Sequence, residues 1–263
     1  MGLPDATELE AMFRVRLQGR LAAERLDEVC ALALGSTGAD VERIVKDALR
    51  GARHENRSIE LADLRRALTI GDDRNDGEIR RTAFHEAGHL LMEIVHFGGA
   101  EYIHATVTAS GQRGGVTIRS QMPPFAGTYD DYRKRLQILL AGRAAEELEY
   151  AASSHGAGGR GSDLERAASI AAAMVGSFGI CGDASLLYLG SQDETDKLMS
   201  YPEIRRAARI ELARASEAAR AVLQENRAAL QEFAEIMLRE GKLDGVSASA
   251  ILRKSTRADR LRR

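Results

Sequence analysis

The sequence predicts a mainly α-helical chain carrying one small β-hairpin or sheet. Three observations lead there. Ala, Leu, Arg and Glu dominate while aromatic residues make up 5% of the 263 residues, a composition that favours helix over strand. Apolar residues recur at helical spacing through most of the chain. Strict two-residue alternation, the mark of a strand, is confined to one short stretch. With 44% hydrophobic residues the chain can bury a core, and its length suits one large domain or two smaller ones.

Taken in order, Ser36 or Thr37 can cap a helix whose apolar positions are Val41, Ile44, Val45, Ala48, Leu49 and Ala52, spaced at 3.6 residues. The polar stretch 54–58 ends it, and Ile59 leads into a shorter helix carrying Leu61, Leu64 and Leu68. Residues 71–77, Gly-Asp-Asp-Arg-Asn-Asp-Gly, are polar and glycine-flanked, which makes 71–76 the expected linker between two parts of the chain. Beyond it Phe84, Ala87, Leu90, Leu91, Ile94 and Val95 line one side of a helix from about residue 77 to 97, stopped by Gly98-Gly99. Ile103, Ala105, Val107 and Ala109 alternate with His104, Thr106 and Thr108. A glycine-bearing turn at 111–115 then leads to Val116-Thr117-Ile118, so a hairpin is expected. After Pro123-Pro124 the chain reads as helix from about 129 to 152, then as a glycine-rich loop at 156–161, then as helix from 163 to about 178. A long helical region follows Pro202, with Asn226 as a break within it.

Charge and cysteine content narrow the function classes. There are 37 basic against 39 acidic residues, a formal −2 with neither sign in a long block, which argues against a nucleic-acid surface. Cys30 and Cys181 are far apart and in no C-x-x-C arrangement. That rules out a disulfide framework and a cysteine-based zinc site, and fits a reducing compartment. Residues 167–180 are too few and too rich in Ala and Gly to span a bilayer, and Asp5, Glu8 and Glu10 interrupt any signal peptide. The expected setting is cytoplasmic.

The strongest chemical signal is His85-Glu86-Ala87-Gly88-His89, an H-E-x-x-H on the helix just described. Residues four apart share a helix face, so both imidazoles can reach one ion, and neutral imidazole suits zinc. Glu86, beside that pair, is placed to take a proton from a water activated by the metal. By chance such a motif would arise in about 1% of chains like this one. Gly88 costs up to about 1 kcal/mol in a helix interior, so something packed closely against it is expected.

Two ligands are too few for zinc. The metzincin continuation is excluded, because Met92 and Val95 stand where it needs glycine and histidine. Glu146, Glu147, His155, Asp163 and Glu165 remain as candidates for the third. On the residues alone Asp163 has a competing role, since Ser162-Asp163-Leu164-Glu165 reads as a capping box with Asp163 favoured by the helix dipole, and the residues favour that structural role. Glu146 and Glu147 are more often solvated helix residues than ligands. His96 lies two turns beyond His89, about 10 Å along the axis, and with His104 and His155 is read as outside any metal site. Either strand of the hairpin can bind an extended peptide by its edge or serve only to cover the helices, and the residues leave that open.

Segment 81–89, Arg-Thr-Ala-Phe-His-Glu-Ala-Gly-His, resembles the zinc-site helix of the FtsH-type ATP-dependent metalloproteases. Segments 141–148 (Ala-Gly-Arg-Ala-Ala-Glu-Glu-Leu) and 159–164 (Gly-Arg-Gly-Ser-Asp-Leu) resemble later motifs of that family, in the same order and at similar spacing. The resemblance puts the third zinc ligand on Asp163, which can face the ion while Ser162 caps the helix. It puts Glu146 behind the site, where it would fix the tautomer and ring orientation of a ligating histidine. Residues 32–68, with Ser36-Thr37-Gly38-Ala39-Asp40, are similar to the small helical lid that ends an AAA ATPase module. Together these likenesses cover about residues 3–250. They imply an AAA lid over 1–70, the linker 71–76, a helical zincin-type peptidase domain over 77–250, and a disordered basic tail over 251–263.

The function so implied is a zinc-dependent endopeptidase acting on unfolded polypeptides as part of a homohexameric, ATP-dependent protease. Glu86 would be its catalytic base and His85, His89 and Asp163 its zinc ligands. No G-x-x-x-x-G-K-[ST] occurs, so ATP is expected only in a longer parent carrying the ATPase core. The family's membrane-spanning segments are also missing. Membrane contact is therefore expected only through a segment outside this chain, in a parent anchored in the inner membrane with this part facing the cytoplasm. The rival reading is a proteolytically silent, peptidase-like assembly module with a structural metal or none. A third is a stand-alone metallohydrolase acting on a small substrate.

Overall fold

The computed structural model describes residues 4, 6–33, 36–69, 74–98, 100–107, 114–119, 124–154, 161–181 and 186–261. The chain begins with four helices, α1 (Ala6–Leu17), α2 (Asp27–Leu32), α3 (Gly38–His54) and α4 (Leu61–Thr69). Thr37 caps α3 in a reciprocal capping box with Asp40. The apolar stripe read from the sequence, Val41, Ile44, Val45, Ala48 and Ala52, is buried. It packs with Leu9, Phe13 and Leu17 of α1, Val29 of α2 and Leu64 and Leu68 of α4 into one core. The apolar spacing predicts α3 and α4 in this region, but not α1 or α2.

The long helix α5 (Asp76–Phe97) starts at Asn75, whose side chain accepts from Glu78 N–H while Glu78 accepts from Asn75 N–H. The expected linker is thus already ordered at its end. Arg74 donates to the carbonyls of Val107 at 2.8 Å and Gly114 at 2.6 Å, and residues 71–73 lie outside the described residues. A short 3-10 turn, Ala100–Tyr102, leads to β1 (Ile103–Thr106), which pairs antiparallel with β2 (Val116–Arg119), Ala105 opposite Thr117. The expected hairpin is therefore present, although residues 108–113, its turn, lie outside the described residues.

The second half of the chain is α6 (Tyr129–Tyr150), α7 (Asp163–Gly176), α8 (Thr195–Ser200), α9 (Pro202–Glu225), α10 (Arg227–Glu240), β3 (Lys242–Asp244) and α11 (Gly245–Leu261). Asn226 does separate α9 from α10. Strand β3 joins the other side of β1, giving the order β2-β1-β3. Three residues are too short a run to show alternation, so it could not be read in advance. The second core gathers Phe84, Leu90, Leu91 and Met92 of α5, Ala141 and Ala145 of α6, Leu223 of α9, and Leu230 and Phe233 of α10.

One expectation is corrected here. Residues 251–261 are not an unstructured tail but the continuation of α11. Ile251 and Leu252, at the start of this stretch, pack partly buried against the second core. Among the described residues no helix is long and apolar enough to cross a membrane.

Candidate metal centre

Helices α5 and α6 cross closely because both carry glycine at the crossing. A Cβ on Gly88 would lie 2.6 Å from the Ala141 carbonyl oxygen and 2.8 Å from the Ala145 Cβ, which is the close packing that its place in a helix interior predicted. Gly142 faces the other way. A Cβ there would lie 2.5 Å from Nε2 of both His85 and His89, so the absence of a side chain at 142 is what leaves room for the two rings.

The rings converge. The Nε2 atoms of His85 and His89 are 3.0 Å apart, and Oδ2 of Asp163, at the start of α7, lies 3.5 and 3.2 Å from them. Donors bound at about 2.0–2.1 Å to one tetrahedral ion are about 3.3 Å apart, so this triangle has the size of one face of such a coordination shell. Among the described residues these three form the group of His, Cys, Asp and Glu side chains able to hold a metal ion.

Helix α6 sets the tautomers. His89 Nδ1 is 2.7 Å from the Ile138 carbonyl oxygen. A carbonyl only accepts, so Nδ1 carries the proton and Nε2 presents its lone pair to the triangle. His85 Nδ1 is 2.9 Å from Glu146 Oε1, which imposes the same arrangement. Ile138, Gly142 and Glu146 are spaced by four, so one face of α6 offers a carbonyl, a gap and a carboxylate beneath two imidazoles. Two lone pairs and a carboxylate oxygen facing one another at 3.0–3.5 Å repel unless a positive charge lies between them.

The electrostatics agree. Burial disfavours a charged His85 imidazole, but its bonds to Asp163 and Glu146 and the nearby charge of Glu86 outweigh burial and raise its pKa to about 10. Burial likewise pushes Asp163 up, and the two imidazoles override it, holding this carboxyl far below the usual carboxylate range. Its Oδ1 lies 3.6 Å from Arg166. Glu146, only 1% exposed, is pushed up by burial and brought down to about 2 by His85, the Ser154 backbone N–H and Arg81. The bond lengths are 2.9, 2.7 and 3.0 Å.

Glu86 lies buried on the same turn of α5, and its Oε2 accepts a hydrogen bond of 2.8 Å from the Thr117 hydroxyl on β2. The other candidates go elsewhere. Glu147 is paired with Arg143 at 2.9 Å, and His96 Nε2 meets Gln137 Oε1 at 2.8 Å. His104 is on β1 opposite Asp244, and His155 lies outside the described residues. Ser162 accepts from Glu165 N–H at 3.2 Å as a cap should. The return half of the expected box differs, because the Glu165 carboxylate takes the Gly161 N–H.

The sequence reading missed Gly142, the Ile138 carbonyl, Ser154 and Thr117. Gly142 could have been found, since a helical glycine four residues before Glu146 asks for the same explanation as Gly88. The carbonyl, Ser154 and Thr117 had no signal, because only the crossing of α6, the turn after it and the pairing of β2 bring them to the site.

Residues 74–251 match the family described as peptidase family M41. The chain belongs to peptidase family M41. It is 31% identical to the ATP-dependent zinc metalloprotease FtsH 4 of Sphaerobacter thermophilus, over 95% of this chain and 39% of that protein. It is 32% identical to the ATP-dependent zinc metalloprotease FtsH 1 of Symbiobacterium thermophilum, over 95% of this chain and 43% of that protein. To the ATP-dependent zinc metalloprotease FtsH of Leuconostoc mesenteroides it is 28% identical, over 93% and 38%. The chain thus spans about two fifths of the length of these curated relatives. Membership of the family agrees with the FtsH-type resemblance, and the His-His-Asp cluster fits a zinc ion.

Proposed function

We propose that the M41 region is a zinc-dependent endopeptidase acting on unfolded polypeptide, with His85, His89 and Asp163 as the zinc ligands and Glu86 as the catalytic base. The observation that carries this is the donor triangle, with Glu86 on the turn between its two histidines. Zinc held there would supply Lewis acidity, polarising a carbonyl and making a water acidic near neutral pH. Each chain residue then has a defined task. The Ile138 carbonyl and Glu146 keep the protons of His89 and His85 on Nδ1. Glu86 takes the proton of the attacking water on its carboxylate and passes it to the departing amine. Gly142 keeps the space in front of the rings open.

The family match and the complete donor set speak against a proteolytically silent module, and a small-molecule hydrolase finds no support in either. The decisive variant is Glu86→Gln, which keeps size and hydrogen bonding but removes the base. Cleavage of unfolded casein should fall by at least about 100-fold, with zinc content by elemental analysis unchanged. Cleavage at the wild-type rate with zinc bound would exclude the assigned chemistry.

Residues 6–69, with a core of their own, are read as the lid of an AAA module, and the working assembly as a hexamer within a longer, membrane-anchored, ATP-dependent parent whose part seen here faces the cytoplasm. The likeness to ATP-dependent zinc metalloproteases supports the ATP dependence. Sedimentation of this chain at high concentration should show self-association, and a monomer throughout would remove the hexamer from the reading of this part.

A further inference from the structure

Strand β2 has its two faces in different parts of the molecule. Val116 and Ile118 pack against the core of the first four helices. Thr117 and Arg119, on the other face, both reach α5. Arg119 donates to Glu93 Oε2 at 2.7 Å and to the Gly98 carbonyl at 2.8 Å. Thr117 donates to Glu86. Glu86 and Glu93 are two turns apart on α5, so β2 runs along the helix and is tied to it at two points. The approach is close at its start, where a Cβ on Gly115 would lie 2.9 Å from Glu86 Cγ and 2.8 Å from Thr82 Cγ2.

The Thr117 hydroxyl has one proton and two acceptors in range, Glu86 Oε2 at 2.8 Å and the Glu86 carbonyl at 3.2 Å. The shorter contact, to an anion, is the stronger bond. The last side-chain torsion of a glutamate is broad, so a carboxylate with neither oxygen held would sample many orientations. Among the described residues Thr117 is the donor that reaches this carboxylate.

We propose that Thr117 is a positioning residue for the reaction: it holds Oε2 of Glu86 so that Oε1 is the oxygen offered to the attacking water. The proposal rests on the peptidase reading for its chemistry, but the positioning itself is a structural claim that can be judged separately. Val is nearly isosteric with Thr and equally β-branched, so Thr117→Val removes the hydroxyl without disturbing strand preference. Thr117→Ser keeps the hydroxyl and loses only a methyl group.

The full 263-residue chain charged with zinc is compared as wild type, Thr117→Val and Thr117→Ser. Zinc content is measured by elemental analysis, and kcat and KM on labelled unfolded casein. Crystal structures of wild type and the Val variant report the Glu86 orientation. The expected result is a kcat lowered about 10–100-fold by Val with KM within about twofold, zinc retained, and Ser close to wild type. The Glu86 carboxylate should be turned or spread over several orientations in the Val crystal.

A Val variant that turns over like wild type, a Ser variant that fails as badly as Val, loss of zinc from the Val variant, or an unmoved Glu86 would each overturn the proposal. If the wild-type chain cleaves no casein, the functional reading fails by itself. The two crystal structures then still decide whether Thr117 positions Glu86.

Discussion

Glu146 and Asp63 are both buried carboxylates braced by an arginine, one behind the metal site and one in the first helical module. Asp63, 3% exposed, receives Arg57 through both of its oxygens at 2.7 Å and the Glu60 backbone N–H at 2.9 Å. Arg57 brings its pKa down to about 2 in spite of burial, the same figure that Glu146 reaches. A displaced pKa therefore does not separate the acid proposed to serve the site from the one that braces the first helices. The partner does. Arg57 ends on Asp63, Glu55 and a carbonyl, and Glu55 also takes Arg66 of α4, so these contacts tie the first helices to one another. His85 has a second nitrogen, and whatever Glu146 does to Nδ1 is felt at Nε2, which faces Asp163 and His89.

The sharpest way to break that distinction is at the space the rings share. Gly142→Ala puts a methyl group where both Nε2 atoms already lie within 2.5 Å of it. The rings must separate, and zinc affinity should fall by about 100-fold or more, as read by competition with a chelator. Retention of wild-type affinity would mean that the convergence of the rings is not what holds the ion.

Next comes the matched pair Glu146→Gln and Asp63→Asn. Removing the charge behind His85 should lower zinc affinity by about 10–100-fold. Removing the charge that meets Arg57 should leave affinity unchanged and lower stability by about 1–3 kcal/mol, from the denaturant midpoint. The pH dependence follows from the sign of the shift. The Asp63 carboxyl has a pKa near 2 when folded against 3.8 ordinarily, so the stability it confers is fully present above about pH 4 and is lost as pH falls towards 2. The gap between wild type and Asp63→Asn should close over that interval. Equal loss of zinc by both variants would erase the contrast between the two acids.

How much of this was legible beforehand follows the range of each interaction. His85, Glu86 and His89 lie within one turn of a helix, and the caps at Thr37 and Ser162 within a few residues, so local spacing revealed them. The long helices were readable from their period, and Asn226 from its break in one. Asp163 was ambiguous on the residues alone because the helix start that presents it also explains it as a cap. Only resemblance separated the two roles, and the structure brings it to within 3.5 Å of both rings. Strand β3 was too short to show alternation, and α1 and α2 lack a cap signal of the kind that marks α3. Thr117 was read as part of a hairpin, but nothing in its neighbours points towards a glutamate 31 residues earlier.

The smallest expected effect has the opposite sign, and it tests the same idea from the other side. Gly51 is also a helical glycine, in the last turn of α3, and a Cβ there meets nothing within 4 Å. Glycine at such a place gives the unfolded chain extra freedom and nothing in return, so Gly51→Ala should stabilise by about 0.4–1 kcal/mol. In a chain of this size that is a rise of about 1–4 °C in Tm, with zinc affinity unaltered. One substitution made in two helices should then strengthen the fold in one and empty the metal site in the other. The sign is decided by what already occupies the position a methyl group would take: open space beside α3, two imidazole nitrogens beside α6. A loss of stability at Gly51 would show that the helix end needs the glycine for its own backbone. The comparison between the two glycines would then rest on Gly142 alone.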